Sequence, residues 1–258
     1  MDEKNMISLQ ENTVDAKKLI IDFGNAFVKI AVFQGLDLIF QETVEILTVQ
    51  RLQELECSYH FKSAIISSVS EVPAMVRDFL EEPLRFVELS DRTNVPIVNR
   101  YATPETLGKD RLSVVVAAAS MFPELNCLVI DAGTCITYDI IDQDKNYLGG
   151  SISPGMQLRF KSLNTFTSRL PLVRHRNFDG LTGSTTEESI QSGIINGIAS
   201  EIDGIIERYK VHFPDLKVLV TGGDMNFFAK KLKSNIFAVP NLVLIGLNEI
   251  LNYNFEKR

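Results

Sequence analysis

Two short stretches of this chain share one pattern, and that pattern narrows the possible folds more than any other feature. Leu19–Ile21 is an apolar run that ends in Asp22, Phe23, Gly24 and Asn25, after which Val28, Ile30 and Val32 alternate with Lys29 and Ala31. Leu128–Ile130 is a second apolar run that ends in Asp131, Ala132, Gly133 and Thr134, and the β-rich run Ile136–Ile141 follows it. An apolar run, a glycine turn and then period-two alternation read as strand, tight turn, strand. One Asp-x-Gly is common. Two, each closing a strand and opening a hairpin, point to an internal duplication, although a pair of ordinary hairpin turns would give the same pattern.

Other segments fill in the organisation. Val218–Asp224 is a third glycine turn, an apolar run ending in Gly222 and Gly223, with Asp224 placed to cap a helix over residues 225–234. Asp110–Met121 has a polar start and an alanine-rich middle, which predicts a helix. Ile190, Ile194, Ile198, Ile202, Ile205 and Tyr209 recur at helical spacing and predict a long amphipathic helix over Thr186–Lys210. Thr185 with Glu188 forms a capping box at its start. Gly246–Phe255 reads as a last helix. The sequence therefore predicts an α/β protein: a polar flexible tail over residues 1–17, one half over 18–122 and a related half over 123–258, with Pro123 at the break.

The chain has 258 residues, 45% of them hydrophobic, enough for a real core. Its net charge of −7 argues against nucleic acid as a partner, since phosphate backbones need a basic face. Three cysteines, Cys57, Cys127 and Cys135, with no CxxC pair, fit a reducing compartment, and the last two read as packed thiols. Cytoplasm is the expected location. No apolar run has the ~18 residues of a membrane-spanning helix, and the N-terminus lacks an apolar leader core.

Neither the P-loop nor the dinucleotide fingerprint occurs, so a nucleotide would have to bind in another way. Glycine turns offer one, because their backbone N–H groups form anion-binding concavities. Asn25 and Thr134 can each donate a hydrogen bond, and the neighbouring aspartates can hold a metal ion. Lys29 can neutralise phosphate charge or be an exposed strand lysine. Gly222-Gly223 can admit a base or ribose, or be a plain strand-to-helix turn. In Tyr101–Arg111, Asp110 falls at a helix start, where it can be a general base or a cap, and Arg111 suits a carboxylate or simply adds surface charge. Arg174-His175-Arg176 reads as a solvated loop or a lid contact, and Gly193 and Gly197 as sites of close helix packing.

The three glycine turns together resemble the actin, sugar-kinase and chaperone ATPase superfamily, which implies a duplicated ribonuclease H-like fold, two related halves around a nucleotide cleft. The ordered set of motifs is similar to type III pantothenate kinases: Asp22–Lys29, Tyr101 with Gly108–Arg111, Asp131–Thr134, Gly149–Gly155, Thr167–Pro171, and Thr186 with Gly193. That resemblance implies that Asp22, Phe23, Gly24, Asn25, Ala26, Phe27, Val28, Lys29 and Thr134 bind ATP. Asp22 would also meet Mg²⁺, directly or through water. Asp131 would hold a monovalent cation, K⁺ or ammonium. Tyr101, Gly108, Lys109, Asp110, Arg111 and Thr186 would line the pantothenate site, Thr186 from across a homodimer interface. Asp110 would be the general base.

Two residues depart from the family pattern. Ala26 replaces a Thr or Ser, and Cys135 replaces a small residue such as Ala. Neither removes a group the reaction needs. The reading that follows is ATP-dependent phosphorylation of pantothenate, with pantothenate and ATP as small-molecule partners and no membrane. The alternatives are a catalytically silent nucleotide- or pantothenate-binding regulator, a kinase for another alcohol, and a phosphatase of the same fold.

Overall fold

The computed structural model describes residues 16–24, 27–69, 71–81 and 84–255. The expected tail over 1–17 falls almost wholly outside them, as do Asn25 and Ala26. The chain divides into two compact units. The first comprises the chain up to Val98, Ala102–Ser120 and the segment from Leu242 onward, and the second comprises Asn99–Tyr101 and Met121–Asn241.

In the first unit, β1 (Lys17–Phe23), β2 (Val28–Gln34), β3 (Asp37–Val44), β4 (Ser63–Ser68) and β5 (Arg85–Glu88) form one sheet in the order β3-β2-β1-β4-β5. β1 is antiparallel to β2 and parallel to β4. Side chains alternate across a strand, so Leu19, Ile21 and Phe23 pack with Val28, Ile30 and Val32 on one face. There they meet α1 (Val49–Tyr59) and α2 (Ala74–Glu81). Lys18, Ile20 and Asp22 take the other face. α7 (Leu242–Phe255) packs against β1 and β4, and Lys18 Nζ donates to Asn252 Oδ1 on it at 2.5 Å. A 3₁₀ turn (Pro104–Thr106) precedes α3 (Lys109–Met121).

The second unit repeats the plan. β7 (Cys127–Ala132), β8 (Cys135–Ile141), β9 (Asn146–Pro154), β10 (Lys217–Thr221) and β11 (Phe237–Ala238), with the two-residue β6 (Val98–Asn99) at the edge, run β11-β10-β7-β8-β9-β6. β7 is antiparallel to β8 and parallel to β10. Apart from β6, strand order and pairing sense match the first sheet strand for strand, the direct sign of the duplication read from the two hairpins. Leu128, Ile130, Ala132, Ile136, Tyr138 and Ile140 meet α4 (Met156–Thr165) and α5 (Thr186–His212).

The long helix starts where the sequence put it, with Thr185 Oγ1 accepting the Glu188 N–H at 3.2 Å. The return arm of the box lands mainly one residue earlier: the Glu188 carboxylate takes the Ser184 N–H at 2.8 Å and the Ser184 hydroxyl at 2.6 Å. Three expectations change. The helix after Asp224 is only α6 (Met225–Ala229), because the Asp203 carboxylate on α5 captures the N–H groups of Lys233 and Ser234 at 3.1–3.2 Å and draws the chain out of helical geometry. α7 begins at Leu242, earlier than Gly246, and belongs to the first unit although it ends the chain. An added Cβ at Gly193 or Gly197 would meet nothing within 4 Å, so neither glycine is needed for packing among the described residues.

Ile198 is fully enclosed at the centre of the second core. Ile198→Ala should lower unfolding free energy by about 2–5 kcal/mol in urea titrations, as buried Ile-to-Ala changes do.

Candidate active site

Asp22 sits at the end of a buried strand and is itself 9% exposed. Its antiparallel Cα partner is Lys29, so the two side chains lie on the same face as a cross-strand pair. Ser67 lies beside it on β4. The Ser67 Oγ is buried without a hydrogen bond of ordinary geometry, yet close enough to favour the charged carboxylate slightly. Burial holds the Asp22 carboxyl above the ordinary aspartate range. Lys29 offsets part of that rise and the negative charge of Asp110 adds to it. Asp110 is therefore near enough to Asp22 to influence its ionisation.

Asp110 lies in the first turn of α3, and its Oδ1 accepts the Arg111 N–H at 2.8 Å. The N-terminal end of a helix favours a carboxylate there. Gly108 supplies the carbonyl that accepts the Leu112 N–H at 3.1 Å, and the Lys109 carbonyl takes the Ser113 hydroxyl at 2.7 Å. Arg111 is 6% exposed, which corrects the alternative of a surface charge. Of the first glycine turn, Phe23 and Val28 are core residues, Phe27 is half exposed, and the Gly24 N–H donates to Phe27 O at 3.0 Å.

The second Asp-x-Gly turn is one residue tighter. Four residues separate the paired Phe23 and Val28, whereas three separate Ala132 and Ile136. The register therefore sets Thr137, not the residue equivalent to Lys29, opposite Asp131. Thr221 is the partner of Asp131 on its other side. The Thr137 Oγ1 is buried and has no hydrogen-bond partner among the described residues. An aspartate flanked by two hydroxyl-bearing strands, one hydroxyl orphaned, is an oxygen-rich set that fits a monovalent cation.

Two further glycine segments close on this turn. The Gly155 N–H donates to Thr134 O at 3.0 Å, and a Cβ on Gly155 would lie 2.2 Å from Gly133 O. Gly222 has φ +94°, and its Cβ would lie 2.3 Å from Asp131 Oδ1 and 2.4 Å from Ala132 O. Both sites exclude any side chain. The Asp224 N–H donates to Ala132 O at 2.9 Å, while its carboxylate makes no cap bond to α6, contrary to the expected role. Thr134 and Cys135 are exposed, so Cys135 is not the packed thiol expected. Cys127 is packed, and burial pushes its thiol up to about 11.

Tyr101 belongs to the second unit. Its ring stacks on Tyr147 at 6.1 Å between centroids, and Tyr147 donates its hydroxyl to Asp139 at 2.8 Å. Thr186 lines a separate groove of about 840 Å³ with Arg159, Leu170, Thr185, Ser189 and Gly193. Arg159 is the post of that groove: its guanidinium reaches Pro154 O at 2.8 Å, Ser153 Oγ at 3.0 Å and Glu201 at 2.5 Å. Burial alone would raise the Glu201 carboxyl, but Arg159, Ser153 and Tyr138 outweigh it and hold it below the usual range. Leu170 of Thr167–Pro171 and Thr186 thus line one groove, and Arg159 ties it to Ser153 and Pro154 of Gly149–Gly155. Arg159 and Glu201 were missed because their pairing joins distant segments and leaves no local pattern.

For magnesium, Asp22 and Asp110 offer two carboxylates against one nearby lysine. Among the described residues no cluster of three or more His, Cys, Asp or Glu forms a metal cage. The set suits an ion that draws most of its ligands from phosphate and water.

Folding makes Asp22 bind its proton more tightly, so its burial costs stability above the raised pKa and that cost fades as pH falls through it. In metal- and nucleotide-free buffer, Asp22→Asn should raise Tm at neutral pH, and the gain should disappear on acidification. Gly155→Ala, which drives a methyl into Gly133 O, should lower Tm in thermal melting.

A family model for type III pantothenate kinase matches residues 18–208. A type III pantothenate kinase of Christiangramia forsetii is 44% identical over 238 residues, covering 92% of this chain and 98% of that protein. One of Phocaeicola vulgatus is 46% identical over 237 residues, with the same coverage. Among solved structures, a glucokinase from an Antarctic psychrotroph superposes with a TM-score of 0.52 at 11% identity, over 92% of this chain and 99% of that one. That last likeness is one of fold. With the two matching sheets, it establishes the duplicated ribonuclease H-like architecture of actin-like ATPases.

Proposed function

This chain belongs to the type III pantothenate kinase family, and from that premise we propose that it moves the γ-phosphoryl group of ATP to the primary hydroxyl of pantothenate. The product is 4′-phosphopantothenate, the first committed step toward coenzyme A, made in the cytoplasm. The observation that carries the assignment of roles is the carboxylate pair of the first unit: Asp22 buried at a strand end beside Lys29, and Asp110 near enough to perturb it at the start of α3.

In this reading Asp110 accepts the hydroxyl proton as the pantothenate oxygen attacks in line. Lys29 neutralises phosphate charge. Asp22 holds magnesium, directly or through water, which when bound screens the phosphate oxygens. Arg111, buried and bearing a planar fork of donors, binds the pantothenate carboxylate or amide oxygens with Gly108 and Lys109. Tyr101, held flat against Tyr147, supplies an apolar wall. Thr134 contacts ATP through its exposed hydroxyl. Phe23, Gly24, Phe27 and Val28 of the first turn, with Asn25 and Ala26 outside the described residues, complete the ATP-contacting segment in this reading.

Asp131 and Thr137 hold potassium or ammonium. Asp131 has no lysine opposite it, so a free cation supplies the positive charge that Lys29 supplies in the first turn. The active form is a homodimer in which the groove beside Thr186 receives the partner, and Gly193 and Gly197, open on their outer side, leave room for it. A silent regulator would not need a carboxylate at the position of Asp110.

Asp110→Asn should cut kcat by about 10²–10⁴-fold, the range for a general base, while ATP still binds in calorimetry. Near-normal turnover would remove Asp110 from the role. Thr137→Val should leave Tm almost unchanged, because it deletes an unpartnered hydroxyl. It should raise the potassium concentration needed for half-maximal rate and weaken thallium(I) binding in the absence of substrates.

A further inference from the structure

Gly149 and Gly150 carry no group that phosphoryl transfer needs, yet each sits where a side chain has no room. β9 carries a bulge at this point: Ile141 pairs with Tyr147 and Ile140 with Gly149, which leaves Leu148 as an extra residue between them. In an unbroken ladder the partners of adjacent residues present opposite faces. Here the extra residue lets two ladder neighbours meet one ring. The Tyr101 ring lies 11° from parallel to that of Tyr147, with 6.1 Å between centroids. A Cβ on Gly149 would come within 3.3 Å of Tyr101 Cδ2 and 3.5 Å of its Cε2, and the φ of +101° at Gly149 disfavours any side chain there. Gly150 is bare for a different reason: its Cβ would enter the backbone of Tyr138 and lie 2.9 Å from Asp139 Oδ1.

The seat under Tyr101 is fixed at several points. Tyr147 is fully buried and donates its hydroxyl to Asp139 Oδ1 at 2.8 Å, and Asp139 on β8 is fully buried as well. A carboxylate acceptor makes that bond a strong one, so the far end of the Tyr147 ring is tethered. The backbone of Asn99–Tyr101, which belongs to the same unit, is held too. The Arg100 N–H donates to Tyr147 O at 3.0 Å, Arg100 Nε to Asn146 Oδ1 at 3.1 Å, and the Tyr101 N–H to Asn99 Oδ1 at 2.9 Å. Tyr101 is nonetheless partly exposed. A tyrosine that only fills a core needs no such fixing. One that is open on part of its surface and held through both backbone and ring is ordered before anything meets it.

We infer that Tyr147 and Gly149 are positioning residues for the acceptor alcohol: the bulge of β9 is a seat that holds the Tyr101 ring in one orientation, so that pantothenate meets an ordered aromatic wall. The inference rests on the reading of Tyr101 as part of the pantothenate site. Ordering a side chain during binding weakens affinity, and a ring already fixed avoids that cost. Contacts of a wall are made alike with the bound acceptor and in the transition state, so the seat acts on KM for pantothenate rather than on kcat. It includes none of the residues read as contacting ATP.

The test is steady-state kinetics and thermal melting on the full chain for Tyr147→Leu, Tyr147→Phe, Gly149→Ala, Tyr101→Ala and the double variant Tyr101→Ala/Tyr147→Leu. Tyr147→Leu removes the flat ring. It should raise KM for pantothenate about five- to tenfold, the scale of a lost aromatic stack and one newly mobile side chain. kcat and KM for ATP should stay within about twofold. Tyr147→Phe returns the ring without its hydroxyl and should recover most of the KM loss, while Tm falls because Asp139 loses a buried donor. Gly149→Ala leaves Tyr147 and Asp139 in place, presses a methyl on the Tyr101 ring and should raise the same KM. In the Tyr101→Ala background, Tyr147→Leu should add nothing, since the ring it seats is gone.

Equal rises in KM for Tyr147→Phe and Tyr147→Leu, in step with their Tm, would make the effect one of stability and overturn the inference. So would losses that add in the double variant, or an unmoved KM for pantothenate in Tyr147→Leu beside a raised one in Tyr101→Ala. Should Tyr147→Leu fail to fold, Gly149→Ala decides by the same KM. If Tyr101→Ala leaves KM for pantothenate unmoved, the reading of Tyr101 as an acceptor wall fails, and this inference falls with it.

Discussion

Each sheet carries an internal strand whose apolar run ends in an aspartate, and most of what surrounds the two turns answers that charge. A buried strand end excludes water, so a carboxylate there is costly unless other groups compensate. In the first unit the compensation is built in: Lys29 stands opposite Asp22 across the hairpin. Burial still keeps the Asp22 carboxyl raised, and Asp110 adds to that rise. In the second unit the facing residue is a threonine, and no lysine takes the matching place opposite Asp131. The same fold element, used twice, therefore sets a lysine opposite the aspartate in one copy and a threonine in the other. The turns also differ by one residue in length, so the residue opposite the aspartate is the seventh after it in the first copy and the sixth in the second.

The second unit shows how close backbone approach is arranged. Two glycines, from segments far apart in the chain, abut the Asp131–Thr134 turn where a methyl group would collide with carbonyl or carboxylate oxygens. The turn is held by backbone contacts from β9 and from the loop after β10. Strand order brings this about: β10 runs parallel to β7, and β9, antiparallel to β8, runs the same way, so the ends of β9 and β10 both arrive at the edge where β7 ends. Arg159 does comparable work in the groove beside Thr186, tying the end of β9 to α5 through Glu201.

Much of this was legible in residue order. The two Asp-x-Gly hairpins, the apolar period of α5 and its Thr185 cap are local patterns, and local geometry decides them. What the pattern could not give was the fate of polar side chains whose partners lie far along the chain. Asp224 had the position of a helix cap but serves the second turn through its backbone instead. Residues 225–234 had helical composition, but a distant aspartate on α5 took two of their N–H groups. His175 had the look of one member of a basic surface triplet, but the Gln191 side chain of α5 brackets it, donating to Arg174 O and accepting the Arg176 N–H.

By itself the sequence determined the duplicated strand–turn–strand units, the long helix and the identity of the groups able to do chemistry, because these follow from periodicity, glycine turns and residue type. Only the tertiary structure decided which residue stands opposite each aspartate. A one-residue change in turn length moves the cross-strand partner by one position, and in a strand with a two-residue period that shift sets which side chain shares the face of the carboxylate. Pairing register is a property of two strands at once, so it is settled when they dock.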